Sequence, residues 1–181
     1  MENSVVNLNT PKLLGGIGMI LILLSPFLLV TGIVGVVLVA VAMHKFSELL
    51  KEKDIFNKYI IGLVISIVSF FVVYLFGLGS LITGIFAGGL EFNLPSFGFG
   101  VMVAMLLAYI LGIIAAYYYK RAYDILGAKT GQKMLSIGGL LWFIGNILLI
   151  AFGLGSLLIL LGGILIAIGY FLIPDKMELS Y

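Results

Sequence analysis

The sequence predicts an all-α integral membrane protein, a bundle of six spans built from tandem helical hairpins with a glycine-rich outer connection between spans three and four. Three observations carry this. Hydrophobic residues make up 62% of the chain and charged residues only 10%, whereas a soluble domain carries about 25% charged residues. Four apolar blocks, 13–43, 59–90, 97–119 and 136–174, each exceed the ~20 residues that cross a hydrocarbon core. Finally, every Lys and Arg fits on one side of the membrane if the chain crosses it six times.

The chain reads as a single transmembrane domain over residues 1–181. The first block is too long for one upright helix and lacks the small-residue pattern of a cleaved leader. Pro26, or the Val30-Thr31-Gly32 sequence, supplies a turn, which gives spans at 11–27 and 29–50. The third span is expected at 59–76. A wet or re-entrant connection through residues 77–96 follows, then a fourth span at 97–119. The last block has 39 residues and would make a helix roughly 58 Å long, so it must fold back. The turn is expected at the glycines of residues 152–157, giving spans at 134–152 and 155–173.

Charge decides between six spans and seven. Cytoplasmic loops collect Lys and Arg. With six spans the inner segments hold Lys12, Lys45, Lys51, Lys53, Lys58, Lys120, Arg121, Lys129, Lys133 and Lys176. The outer loops then hold only Glu91. Making 79–90 a further span would put Lys120, Arg121, Lys129 and Lys133 outside. The expected location is therefore the cytoplasmic membrane, multi-pass, with both termini cytoplasmic.

The hexapeptide FGLGSL occurs at 76–81 and again at 152–157. At the same shift of 76, residues 44–62 lie over 120–138, with Leu50 on Leu126, Lys53 on Lys129 and Gly62 on Gly138. Lys12, Lys58 and Lys133 each begin a glycine-containing apolar helix. The reading is three parallel helical hairpins in which FGLGSL ends an outward-going helix. On the inner extensions, Phe46, Leu49 and Leu50 share a side, as do Ala122, Ile125 and Leu126. Lys45–Glu48 and Arg121–Asp124 are placed as i,i+3 ion pairs.

Candidate functional residues are few. Intramembrane ionisable side chains mark ion paths and proton relays, and none lies well inside a span. No catalytic, cofactor-binding or metal-ligating residue is assigned. His44 stands alone at the inner boundary, without the partners a metal site needs. Cysteine is absent, which removes thiolate chemistry. Asn146 is the one carboxamide deep in a span. It is read as a structural or cavity polar residue, bonded to another helix. Ser66, Ser69 and Thr83 can bond back to their own helices. Tyr117, Tyr118 and Tyr119 before Lys120-Arg121 read as an inner aromatic belt. In the fourth span Gly100, Ala104, Ala108, Gly112 and Ala116 form a small-residue stripe that suits close helix packing, within the chain or between copies.

The segments KLLGGIGMILILL with the following Pro26, DIFNKYIIGLV and KRAYDILGAKTGQKMLSIGGLLWFIGNIL resemble the family called domain of unknown function 996. The likeness covers nearly the whole chain. It implies a multi-pass membrane protein of the archaeal and bacterial type. The family carries no assigned activity, so no residue role is carried over. Threefold hairpins are also similar to those of mitochondrial carriers, but the proline–acid–basic signature of that family is absent.

Membrane lipids are the expected partners, together with another copy of the chain or a membrane-protein partner. A net charge of +2 gives no case for nucleic acid. No cofactor and no enzymatic activity are expected. The best expectation is a non-catalytic scaffold, assembly or envelope component. The alternative is a small permease or channel for a neutral or weakly polar solute.

Overall fold

The computed structural model describes residues 4–87, 94–150 and 153–179. Strand β1 (Ser4–Asn7) leads into helix α1 (Asn9–Leu23). Pro11 sits in the first turn of α1, where its missing N–H is not needed, and the Asn7 side-chain oxygen accepts the Asn9 backbone N–H at 2.9 Å. A turn over residues 24–28 around Pro26 precedes α2 (Leu29–Leu49). Helices α3 (Lys53–Ala87) and α4 (Leu94–Thr130) follow. Helix α5 (Lys133–Ile147) ends in a short 3-10 turn, Leu148–Ile150. Helix α6 (Leu154–Phe171) precedes strand β2 (Lys176–Leu179). The two strands pair antiparallel, with Val5 opposite Glu178 and Val6 opposite Met177.

Each helix packs on the next, and α6 packs back on α1, so the six helices close a ring. Glycine lets the backbones of two pairs nearly touch. A Cβ on Gly18 of α1 would lie 2.8 Å from the Gly35 carbonyl oxygen of α2, and one on Gly138 of α5 would lie 2.7 Å from the Gly162 oxygen of α6. Apolar faces gain nothing from lipid exclusion inside a membrane, so this contact area supplies the attraction. Helices α3 and α4 are joined by side chains, with the Ser69 hydroxyl donating to the Ala108 carbonyl at 3.1 Å.

The core gathers at one end of the ring. Leu8, Val39, Met43, Phe46, Ile55, Leu126, Leu135 and Tyr170 are fully buried there. That end carries both strands, the 50–52 turn and the 131–132 turn, and the basic residues lie in the helix turns beside them. Lys12 pairs with Asp175, and Lys129 reaches Glu52 at 2.9 Å, tying the two turns together.

Several expectations are corrected. Among the described residues five helices are long and apolar enough to cross a membrane, whereas α1 has 15 residues and ends at Leu23 rather than at 27. Pro26 makes the first turn, and Val30-Thr31-Gly32 lies inside α2. The first FGLGSL copy is not a break, because α3 runs through it to Ala87. Opening a helix in hydrocarbon frees backbone groups that lipid cannot satisfy, and nothing among the described residues lies within 4 Å of a Cβ built on Gly77. The second copy does turn, with Gly153 at φ 85°. The re-entrant connection is helical over 77–87 and 94–96, and residues 88–93, with Glu91, lie outside the described residues.

The expected i,i+3 ion pairs are replaced by i,i+4 pairs, His44–Glu48 at 3.4 Å and Lys120–Asp124 at 2.5 Å. The shift of 76 is not the register of the two turns. Helix α2 ends, Lys51 takes φ 51°, and α3 starts at Lys53. Helix α4 ends, Gly131 takes φ 72°, and α5 starts at Lys133. That is a shift of 80. At this shift the buried residues Ala42, Met43, Phe46, Leu50 and Ile55 fall on Ala122, Tyr123, Leu126, Thr130 and Leu135, all buried as well.

Candidate functional site

A cavity of about 610 Å³ lies inside the ring, within the ~300–1,000 Å³ typical of small-molecule sites. All six helices line it, for example through Met19 of α1, Val36 of α2, Ser66 of α3, Tyr119 of α4, Trp142 of α5 and Ile166 of α6. Met19, Tyr59, Tyr123 and Ile166 belong to both the lining and the core. The packed basic end therefore forms the floor of the cavity, and Ser25, Gly32, Ile33 and Phe70 line it nearer the other end.

The polar side-chain groups of the lining are the hydroxyls of Ser25, Ser66, Tyr59, Tyr119 and Tyr123 and the indole N–H of Trp142. Gly62 makes room for the most ordered pair, since a Cβ there would come within 3.0 Å of the Tyr119 ring. The Tyr119 ring lies 5.2 Å from that of Tyr59. The Ser66 hydroxyl donates to its own helix at Gly62 O, 3.0 Å, and lies 3.1 Å from the Tyr119 hydroxyl. Either hydroxyl can donate in this pair, which ties α3 to α4. Below the floor, Tyr170 packs against Phe46 and Tyr123, with ring centroids 6.1 and 6.2 Å away. Its buried hydroxyl makes no hydrogen bond of good geometry among the described residues.

This lining offers aliphatic and aromatic contact and a few neutral hydrogen bonds. It contains no carboxylate, amine or imidazole. Burying an unpaired charge in such surroundings is strongly unfavourable.

The structure places Asn146 outside this cavity. Its side-chain nitrogen donates to Trp142 O at 2.9 Å, on its own helix rather than another. A Cβ on Gly112 would lie 3.9 Å from its oxygen, so Asn146 faces α4. Along the stripe, Ala104 and Ala116 are buried, and Gly100, Ala108 and Gly112 are half-buried. Ala108 meets α3 through Ser69, whereas Gly112 meets α5. His44 stacks edge-on against Phe56 at 4.9 Å at the basic end. Among the described residues no group of three metal-ligating side chains occurs. The side chain of Thr83 lies outside the described residues.

Sequence reasoning missed Tyr59 and Tyr123, and it assigned Tyr119 to an interfacial belt. Tyr119 instead turns into the ring, while Tyr117 is exposed and packs against Phe143 at 6.0 Å. The available signal was spacing. Tyr59 is the sixth residue after the start of α3, and its Gly139 counterpart on α5 receives the Tyr123 side chain.

The model of a protein family of unknown function, DUF996, matches residues 31–170. The chain belongs to the DUF996 family. An uncharacterised protein of Methanocaldococcus jannaschii is 33% identical over 174 residues, covering 96% of this chain and 97% of that protein. No solved structure matches. The DUF996 match thus runs from α2 to α6 and takes in five of the six cavity walls.

Proposed function

We propose that this DUF996 protein crosses the cytoplasmic membrane six times, with its basic end and both termini inside. We further propose that it acts without catalysis, holding a neutral, weakly polar molecule between its helices. The single observation that carries the reading is the hydroxyl-bearing apolar cavity lined by all six helices. Such a space offers a guest both apolar contact and neutral hydrogen bonds, which a scaffold has no use for. The reading therefore follows the permease-like expectation over the dry scaffold. The ten basic residues at one end support the orientation. The packing of α1 along α2, from the Gly18–Gly35 crossing to the Ser25–Gly32 contact, supports a sixth crossing that the length of α1 alone does not provide.

The same reading makes the ring three helix–turn–helix units, α2–α3, α4–α5 and α6–α1. The strand pair takes the place of the third turn. Membrane lipids are its surroundings, and the stripe on α4 serves packing within the chain.

Trp142 is the sole tryptophan and lines the cavity, which gives a direct test. Purified protein in detergent is titrated with a long-chain alcohol carrying a terminal bromine, a neutral quencher. The expected result is saturable quenching of Trp142 that is weakened by Ser66→Phe, which fills the cavity, with melting temperatures checking that both proteins are folded. Linear quenching, equal in the two proteins, would mean partition into the micelle alone and would refute the reading.

A further inference from the structure

The seams between neighbouring helices are not alike. Beyond their turns, α4 and α5 stay together, with a Tyr109 hydroxyl donating to Ile147 O at 2.5 Å and Gly112 against Asn146. Helices α6 and α1 do the same, with Gly163 against Leu23 and Met19. Between α2 and α3 the packing is sparser than at the other seams and includes the His44–Phe56 pair, near the turn. Farther along, three cavity-lining residues of these two helices are open, while Gly32, Val36, Leu63 and Ser66 are half-buried. Ile33 is 69% exposed, Phe70 is 67% exposed and Ile67 is 47% exposed. One seam of the three equivalent ones therefore parts, and it parts at the level of the cavity.

The segments that part, residues 30–36 and 63–70, are apolar apart from hydroxyls. Residues 63–70 lie in the middle of α3 and residues 30–36 form the first two turns of α2, both in helices long enough to span a bilayer. The medium facing the gap is therefore hydrocarbon. We infer that the ligand enters sideways from the bilayer through the α2–α3 seam and is a lipid-dissolved amphiphile, a hydrocarbon chain ending in a neutral hydrogen-bonding group. This rests on the cavity reading above and adds the route and the ligand class. The aliphatic walls suit the chain. The Ser25 hydroxyl at one end and the Ser66, Tyr59, Tyr119 and Tyr123 hydroxyls near the floor suit the neutral group. Most of the lining is aliphatic or aromatic carbon, so a strongly hydrated solute would give up more hydrogen bonds than these few groups return.

The test closes the seam. The absence of native cysteine lets Ile33→Cys and Ile67→Cys be joined by a flexible bifunctional maleimide, and both sites are exposed. The protein is reconstituted in phosphatidylcholine vesicles, and the bromine-tipped alcohol is then added to the membrane. The expected result is that Trp142 quenching in the unlinked double variant is lost after cross-linking. Equal quenching before and after would overturn lateral entry while leaving the cavity reading in place. No quenching in either state would remove the cavity reading, and this inference with it. A control carries Trp142→Phe and Ile110→Trp, which moves the reporter to an exposed face of α4. Its quenching should be indifferent to the cross-link. Loss there as well would trace the effect to the whole bundle and overturn the assignment.

Discussion

Replacing Gly162 by Ala tests whether backbone contact holds α5 to α6. The new methyl would lie 2.7 Å from both the Gly138 carbonyl oxygen and the Trp142 backbone nitrogen, and 3.2 Å from the Trp142 Cα. All three are backbone atoms, so no side chain can swing aside. Ordinary non-bonded contact needs about 3.5 Å, so the helices must part by roughly 0.5–1 Å, a gap that forfeits a quarter to a half of each nearby contact. Overpacking of this kind costs about 1–3 kcal/mol, against which Ala returns roughly 1 kcal/mol of helix propensity over Gly. The net expectation is a loss of about 0–2 kcal/mol. Gly77 is the internal control, being helical with nothing within 4 Å of its Cβ position. Gly77→Ala should be neutral or stabilising by up to about 1 kcal/mol. Thermal unfolding of both variants in one detergent gives the comparison, with an expected separation of several degrees. If Gly162→Ala melts at or above Gly77→Ala, backbone contact is not what holds this pair.

Further outcomes follow from the same geometry. Gly112→Ala should be neutral or slightly stabilising in the same melt, because its methyl would meet Asn146 at 3.9 Å, ordinary contact. Ala108→Ile should lower folded yield and melting temperature more than Ile110→Ala, since Ala108 abuts α3 and Ile110 is 47% exposed. If only the reverse is seen, the stripe on α4 faces lipid. Asn146→Leu should cost no more than about 1 kcal/mol, because the bond it removes returns to its own helix. Tyr170→Phe should hold or raise the melting temperature, since it deletes a buried hydroxyl that lacks a well-formed partner, and a fall of more than about 1 kcal/mol would mean that the hydroxyl is bonded. Single cysteines at Lys53 and Lys129 should label from the inside only and one at Phe27, exposed in the far turn, from the outside only. Outside labelling at Lys129 would remove the six-span threading.

The parts of this fold that were legible in the sequence rest on signals a membrane imposes. Total apolarity, the lysines in the polar turns and Pro26 as a break each have one cause, and the expected span at 29–50 meets a helix at Leu29–Leu49. Rotation about each helix axis was not legible. Where a span is apolar all round, its periodicity does not say which face looks inward, so Tyr59, Tyr119 and Trp142 gave no sign of sharing a cavity. Tyr119 was further disguised by Lys120 and Arg121, which make any preceding aromatic look interfacial. The repeated hexapeptide misled for a related reason. Glycine permits a break without requiring one, and the requirement comes from the partner helix. At 152–157 the α5–α6 backbones close on Gly155 from Gly145. At 76–81 nothing among the described residues lies within 4 Å of a Cβ built on Gly77, and the helix continues.

The shift of 80 between the two basic turns carries a prediction of its own. Lys51 and Gly131 occupy the same place, two residues before α3 and α5 begin, and both have positive φ. For a residue with a Cβ that conformation costs about 1–2 kcal/mol, whereas glycine adopts it freely. Gly131 has nothing within 4 Å of its Cβ position, so Gly131→Lys is penalised by backbone conformation and not by a clash. It should destabilise by about 1 kcal/mol. Lys51→Gly should stabilise by a similar amount, about 1 kcal/mol less whatever the lysine side chain contributes. The shift of 76 makes a different statement, because it pairs Lys51 with Gly127. A Cβ on Gly127 would lie 2.6 Å from the Ser136 hydroxyl and 2.9 Å from Gln132 O, so exchange at that position fails by collision whatever the backbone does. The double variant Lys51→Gly with Gly131→Lys separates the two registers. Near-native melting of the swap, with opposite shifts in the two single variants, is what equivalent turns require. If Lys51→Gly destabilises as much as Gly131→Lys, the two turns are not the same structural unit and the shift of 80 is a coincidence of burial.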